Sequence, residues 1–417
     1  MRIAFVFPGQ GSQVPGMGTD LYQKYEIARK RFDEASEVLG YDLLLACRNE
    51  QGELEHTRVV QPGVLVHSVV CWELVKPMLR QPPIAMAGHS LGEISALVCA
   101  GSLDFQAAVR LVDIRAKLMS EFSGGAVLVV LGLDEPEVSR VCEQVTRPGH
   151  LVTVANRNST DQFVLSGHEA AIADAGRLLD ERGGVTARLA VSVPVHSPLM
   201  EPITEHMSVA IRQEEPRDCV VPVLSSISGT WASLAADVVA MLDNQLTGCV
   251  DWPLAMARLV DAAVDTVIEL GPKTVLRDLC RANFDQLESL TCGTVEELAG
   301  IGEVLRRSDA VLDKAQLERA EKFLLDCLCL IVGTPSIRQV SAATFESAVR
   351  VPYESMVADL DHLRKSRGIS PAALRRAAQR TNNVLRTKGF SDDECQAFIK
   401  QMVLNNSLSD AVAGYVA

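Results

Sequence analysis

Ser90 stands in the stretch Gly88-His89-Ser90-Leu91-Gly92-Glu93, between the apolar run 84–87 and a helical pattern that begins near Gly92. Strand, sharp turn of small residues and helix make the setting of a nucleophile elbow, which lifts a Ser hydroxyl out of a sheet and aims it at a cleft. Glycines at 88 and 92 keep Cβ atoms off a strained backbone. The helix N-terminus behind the Ser favours developing negative charge. The chemistry on offer is nucleophilic attack by a hydroxyl. An ordinary strand-to-helix turn that happens to carry Ser fits the same pattern, so the Ser has to find partners.

A Ser nucleophile needs a base, an oxyanion hole and a group that orients the base. Eight His residues are available. His89 adjoins Ser90 but points away from it if the elbow is strand-like. His196, in Ser192-Val193-Pro194-Val195-His196-Ser197, precedes a helical pattern. A loop entering a helix can deliver a side chain into the cleft at the ends of parallel strands; a satisfied core or surface His is the alternative. Arg115 follows Ser90 by one helix, a Gly-ended turn and most of a second helix. Such a hairpin can return a guanidinium to the Ser, where it would hold a carboxylate bidentately. A solvated charge on a helix face is the alternative.

The elements that must position these residues read as an α/β fold. Residues 2–7, 84–87, 221–225 and 266–269 are apolar runs expected as buried parallel strands. Helical spacing occupies 22–38, 60–79, 200–213, 253–263 and 273–283, and Asp104 is placed to cap another helix. A Gly-rich loop, Pro8-Gly9-Gln10-Gly11-Ser12-Gln13, follows the first strand; it lacks the Lys-Ser/Thr of a phosphate loop and is expected to bring backbone N–H groups to a neighbouring site. Residues 124–189 run strand, helix, strand, strand, helix, strand, the order of a ferredoxin-like unit. The expected organisation is a large α/β-hydrolase-like domain with a mostly parallel sheet (1–123 and 190–293), an inserted ferredoxin-like small domain (124–189) and a helical C-terminal extension (294–417). In the extension, 317–331 is apolar enough to be packed, and Ser370 and Pro371 suit a helix start.

Composition narrows the function class. The chain has 417 residues, 47% hydrophobic and 22% charged, with a formal net charge of −13, so it is globular and not built to bind nucleic acid. Its eleven Cys are scattered without Cys-x-x-Cys spacing, which points to reduced thiols in a cytoplasmic protein and not to disulfides or zinc. Residues 1–8 are too short for the apolar core of a signal peptide, and no run of eighteen apolar residues suggests a membrane span.

The motifs together resemble the malonyl-coenzyme A:acyl-carrier-protein transacylases and the acyltransferase domains of polyketide synthases. The likeness rests on Phe7 to Gln13, Gln61-Pro62, Gly88 to Glu93, Arg115 to Met119, Asn156-Arg157-Asn158-Ser159, Val193 to Met200 and Glu269-Leu270-Gly271-Pro272, in family order over about residues 1–285. The resemblance implies a ping-pong acyl transfer in which Ser90 carries the acyl group as an ester and His196 is general base, then acid. The N–H groups of Gln10 and Leu91 would form the oxyanion hole, and Arg115 would bind the free carboxylate of a malonyl group. Gln61 and Asn158 would line the cleft, with support from Asn156. Family members orient the His through a main-chain carbonyl, here near Gly248-Cys249-Val250-Asp251-Trp252; whether the Asp251 carboxylate takes part is left open. No metal or redox cofactor is implied: coenzyme A enters as substrate carrier, the phosphopantetheine of an acyl carrier protein accepts the group, and a monomer without membrane attachment is expected.

Leu91 after the nucleophile matches malonyl-using members, whereas Val195 before the His matches neither the Phe of malonyl-selective synthase domains nor the Ser of methylmalonyl-selective ones. The region beyond 295 resembles, weakly, the helical extension of freestanding transferases that serve polyketide or hybrid polyketide–peptide assembly lines in trans. Between Arg364 and Phe390 stand six Arg, two Lys and no acidic residue. If Arg375, Arg376 and Arg380 share an exposed face, they would dock an acidic carrier. The rival readings are an editing acyl hydrolase, which generally lacks the Arg, a malonate decarboxylase acyltransferase subunit, and a non-catalytic carrier-docking scaffold.

Overall fold

The computed structural model describes residues 1–122, 124–189, 193–284, 287–308, 314–366, 369, 371–406 and 408. Its strands are β1 (Ile3–Phe7), β2 (Ala85–Gly88), β3 (Gly125–Leu131), β4 (Val152–Arg157), β5 (Gln162–His168), β6 (Val185–Arg188), β7 (Val223–Leu224), β8 (Trp231–Ala232), β9 (Val250–Asp251), β10 (Thr266–Leu270) and β11 (Glu288–Cys292). Two compact units form: one from Arg2–Asn283 with Ser289–Gly302, the other from Phe284–Glu288 with the chain from Glu303 onward.

In the larger unit, the central sheet has the order β11-β10-β1-β2-β7-β8. β1 pairs in parallel with β10 and β2, and β2 with β7; β8 turns back antiparallel to β7. Every side chain of β1 and β2 is buried, as continuous apolar runs covered on both faces require. The second sheet, β6-β3-β5-β4-β9, has the antiparallel ferredoxin-like order in its first four strands, with the helices Glu135–Val145 and Glu169–Glu181 in the crossovers. β9 joins it in parallel, Asn156 opposite Val250, so a segment of the main fold is stitched into the inserted one.

The helix Thr57–Val75 is long and apolar enough, extended to Met78, to cross a membrane by length and composition, but 78% of its most apolar window is buried in the fold. It contains Pro62, which has no N–H to give the Arg58 carbonyl a turn earlier. Tyr41 supplies the missing donor, its hydroxyl giving to the Arg58 carbonyl at 2.8 Å.

β8, β9 and β11 and the helix Ala235–Asp243 lie outside the sequence expectations. Two of these strands are two residues long and carry no periodicity, and in β11 (ESLTC) the polar residues Glu288, Ser289 and Thr291 do not alternate with apolar ones. The expected start of the extension at 294 also moves. The helix Val295–Ser308 begins on the larger unit, where the Val295 N–H donates to Asp20 and Leu298 and Ile301 are buried. A helical pattern does not reveal which core it faces, so the boundary at 303 was illegible. The smaller unit packs the helices Lys314–Gly333, Val351–Ser366, Pro371–Lys388 and Asp392–Asn405 around Phe323, Leu324, Cys327, Leu374 and Ile399. Lys388 is buried and its ammonium donates to the Ile331 and Thr334 carbonyls, satisfying the end of the first of these helices. Ser370, expected as a cap, lies outside the described residues.

Candidate active site

β2 ends at Gly88 and the helix Gly92–Cys99 follows, with Ser90 between them at φ 53°. A Cβ on Gly88 would sit 1.9 Å from the Gly92 carbonyl carbon, and one on Gly92 would sit 1.9 Å from the Phe7 carbonyl oxygen. No side chain fits at either place, which is the steric reason for the Gly-x-Ser-x-Gly spacing. His196 also has positive φ, 59°, and its N–H donates to the Leu246 carbonyl at 2.8 Å. That strained backbone turns the ring toward Ser90.

The His196 Nε2 lies 2.7 Å from the Ser90 Oγ, and its Nδ1 lies 3.0 Å from the Gly248 carbonyl oxygen. A carbonyl only accepts, so Nδ1 carries the proton and Nε2 is free to accept one from Ser90. His196 is 2% exposed. Burial, then the charge of Arg115 and the neighbouring His89, hold its pKa down to about 3. The ring is therefore neutral at physiological pH, the state a general base requires.

Asp251 does not orient His196. Its carboxylate accepts the Leu254 N–H at 2.9 Å as the cap of the helix Trp252–Asp261 and stands 4.0 Å from Arg157. An Asp just before a helix has an N–H to hand, and the backbone of Gly248 does the orienting instead.

Arg115 returns to Ser90 on the helix Phe105–Glu121 and is 2% exposed. Its Nη2 donates to the Ser90 Oγ at 3.3 Å, its Nη1 to the Gln61 Oε1 at 2.6 Å and its Nε to the Gln245 Oε1 at 3.1 Å. Burial lowers its pKa to about 10, opposed by the nearby Glu93 charge, so it remains a cation at neutral pH. Gln61 in turn reaches Gln10 and Thr57. Neither the Gln10 nor the Leu91 backbone N–H donates to another group among the described residues, and both residues line the same cleft.

That cleft has a volume of about 370 Å³, and Ser90, His196, Arg115, Asn158 and Val195 also line it. Asn158 is held by a 3.0 Å contact between its Oδ1 and the His89 Nε2, so His89 turns from Ser90 and braces the opposite wall. Two residues with no assigned role in the sequence reading complete the site. Glu93, fully buried, accepts from the Ser226 N–H and hydroxyl at 2.8 and 2.9 Å, and burial raises its pKa to about 7. Gln245 donates to Glu93 and to the Ser90 carbonyl. The only signal for Gln245 in sequence is a polar residue beside apolar Leu242 and Leu246, too common to single it out.

Arg375, Arg376 and Arg380 do not share an exposed face. Arg376 is 9% exposed, Arg375 pairs with Glu288 at 2.7 Å and Arg380 with Asp359 at 3.0 Å. Arg364 and Arg386 likewise meet Glu321 and Asp392. The acids missing from the basic stretch come from outside it, Asp359 and Asp392 from its flanks and Glu288 and Glu321 from farther along the chain.

The sequence profile of the acyl transferase domain matches residues 4–323. The malonyl CoA-acyl carrier protein transacylase of Haemophilus influenzae is 36% identical over 310 residues, covering 73% of this chain and 99% of that protein. The Escherichia coli K12 protein of the same name is 37% identical, covering 69% and 94%. Among solved structures, an acyl carrier protein S-malonyltransferase from Vibrio cholerae superposes with TM-score 0.69 at 34% identity, over 72% of this chain and all of that one. A malonyl-transacylase in complex with a holo type II polyketide synthase carrier protein gives TM-score 0.70 at 36% identity, over 73% and 99%. With its elbow, histidine and buried arginine in one cleft, the chain belongs to the acyl transferase family, among the malonyl-coenzyme A:acyl-carrier-protein transacylases.

Proposed function

We propose that this protein moves a malonyl group from coenzyme A to the phosphopantetheine thiol of an acyl carrier protein through an ester on Ser90. The observation that carries the reading is the convergence on one oxygen: the Ser90 Oγ lies 2.7 Å from the His196 Nε2 and 3.3 Å from the Arg115 Nη2. A nucleophile, its base and a carboxylate-binding cation share the cleft.

In the first half-reaction, His196 takes the Ser90 proton as the Oγ attacks the thioester carbonyl. The oxyanion forms against the Gln10 and Leu91 N–H groups, which have no competing acceptor among the described residues. Collapse expels the coenzyme A thiolate, which takes the proton back from His196. The second half-reaction runs the same steps in reverse order, with the carrier thiol attacking the Ser90 ester. Arg115 binds the malonyl carboxylate by charge-assisted hydrogen bonds. In this reading Ser, His and backbone dipoles suffice, and coenzyme A enters only as substrate carrier. The helices that continue past the end of the family match at residue 323, and a relative solved with a polyketide synthase carrier, support service to a polyketide or hybrid assembly line.

Intact-mass measurement after mixing with malonyl-coenzyme A tests this. A stable malonyl adduct that moves to a holo carrier, and is absent from Ser90→Ala, is the expected result. Rapid loss of the adduct to water would make the protein a hydrolase, and no adduct would make it a scaffold.

A further inference from the structure

Arg115 makes three polar contacts, and the one to Gln245 has a consequence for which acyl groups the site accepts. A guanidinium has five N–H donors and two edges that can grip a carboxylate in pairs: the side edge, Nε with Nη2, and the end edge, Nη1 with Nη2. Gln245 Oε1 occupies Nε at 3.1 Å, which closes the side edge. Gln61 takes one hydrogen of Nη1 and the Ser90 Oγ one of Nη2. What remains is one hydrogen on each terminal nitrogen, Nη1 and Nη2, and with Nε closed these two are the pair left for a carboxylate.

The amide of Gln245 is itself held one way round. Its Nε2 lies 3.1 Å from the Ser90 carbonyl oxygen and 3.0 Å from the Glu93 Oε2. The Ser90 carbonyl can only accept, so the NH2 end must face it and the oxygen end must face Arg115. Glu93 is fixed in turn by the Ser226 N–H and hydroxyl. The side chains of Arg115, Gln245, Glu93 and Ser226 are buried, which strengthens these hydrogen bonds.

We infer that Gln245 is a positioning residue for substrate selection: by occupying the Arg115 Nε it presents the end edge of the guanidinium to the cleft and sets the preference for carboxylated over uncharged acyl groups. The inference rests on the malonyl transfer proposed above. Without the Gln245 oxygen, the buried Nε–H is unpaired, and the guanidinium turns to satisfy it or stays with a weakened hold. Either outcome harms a substrate that needs both remaining N–H groups more than one that needs neither.

The test is the ratio of kcat/KM for self-acylation from malonyl-coenzyme A to that from acetyl-coenzyme A, measured on the parent, Arg115→Ala, Gln245→Met and Gln245→Asn. Damage to the elbow through the lost contact to the Ser90 carbonyl lowers both rates and cancels in the ratio. Gln245→Met keeps the volume and removes the acceptor; its ratio is expected to fall about tenfold or more. Gln245→Asn keeps an amide on a shorter arm and should give the same direction, which decides the matter if the Met variant does not fold. A ratio within about threefold of the parent's in the folded variants, with the ratio lost in Arg115→Ala, overturns the role of Gln245 alone. A parent without malonyl preference, or one whose preference survives Arg115→Ala, overturns the malonyl reading and this inference with it.

Discussion

His196 gives its Nδ1 proton to the backbone carbonyl of Gly248 at 3.0 Å, and the carboxylate of Asp251 nearby is engaged with the Leu254 N–H. The base is thus oriented by an acceptor that no side-chain substitution removes. Asp251→Ala should cost about 1 kcal/mol of stability through loss of the helix cap and leave self-acylation within about threefold of the parent. Denaturant unfolding and a labelling time course check the two halves. A loss of acylation near a hundredfold would give the Asp251 carboxylate a part in orienting the base.

Arg115→Ala removes a charge-assisted grip of about 1.5–3 kcal/mol. The malonyl-to-acetyl ratio of kcat/KM should fall by about 10- to 150-fold, the same energy expressed as a rate ratio. Competition between the two coenzyme A thioesters measures it directly. An unchanged ratio would place the carboxylate grip on another residue.

Glu93 gives a stability signal with a defined sign. Burial raises its pKa from the ordinary 4.5 to about 7 in the folded protein. A raised folded pKa means its contribution is fully present below about pH 4.5 and is lost as pH rises through 7. The loss is on the order of 3 kcal/mol. Glu93→Gln has no such titration, so the stability of the variant relative to the parent should improve by that order between pH 5 and pH 8. Urea unfolding at the two pH values reads it, and an equal difference at both would show that Glu93 does not titrate on folding. Glu269, also buried and raised to about 7, stays in both proteins and cancels.

Arg380→Glu should destabilise the helical unit by about 1–3 kcal/mol, because it sets a second acid against the half-buried Asp359. Adding Asp359→Arg should restore part of the loss. Carrier transfer should fall only as the folded fraction falls. A variant that is fully folded but transfers slowly to the carrier would return the docking role to this helix.

The elbow is the most legible part of the site because its geometry leaves only one solution: Gly88 and Gly92 meet backbone atoms at distances no Cβ survives, and that constraint is written in the spacing itself. The ferredoxin-like insert is legible for a similar reason, since β3 to β6 and their helices are local and strongly periodic. Gln245 and Glu93 are not, because what matters is which buried donor lies across from them, and their partners stand more than a hundred positions away. The basic stretch misleads for the same reason: Asp359, Glu288 and Glu321 neutralise it in space and not in sequence.

Gly248 lies just ahead of β9, and β9 is hydrogen-bonded to β4, the strand that leads to Asn158 on the far wall of the cleft. The anchor of the base and the wall facing it therefore hang from one ladder. A tilt of the smaller sheet that widened the entrance for a phosphopantetheine arm would pull the Gly248 carbonyl along with it and swing His196 off Ser90. The position of the base and the position of the wall facing it are, in this architecture, set by the same pair of strands.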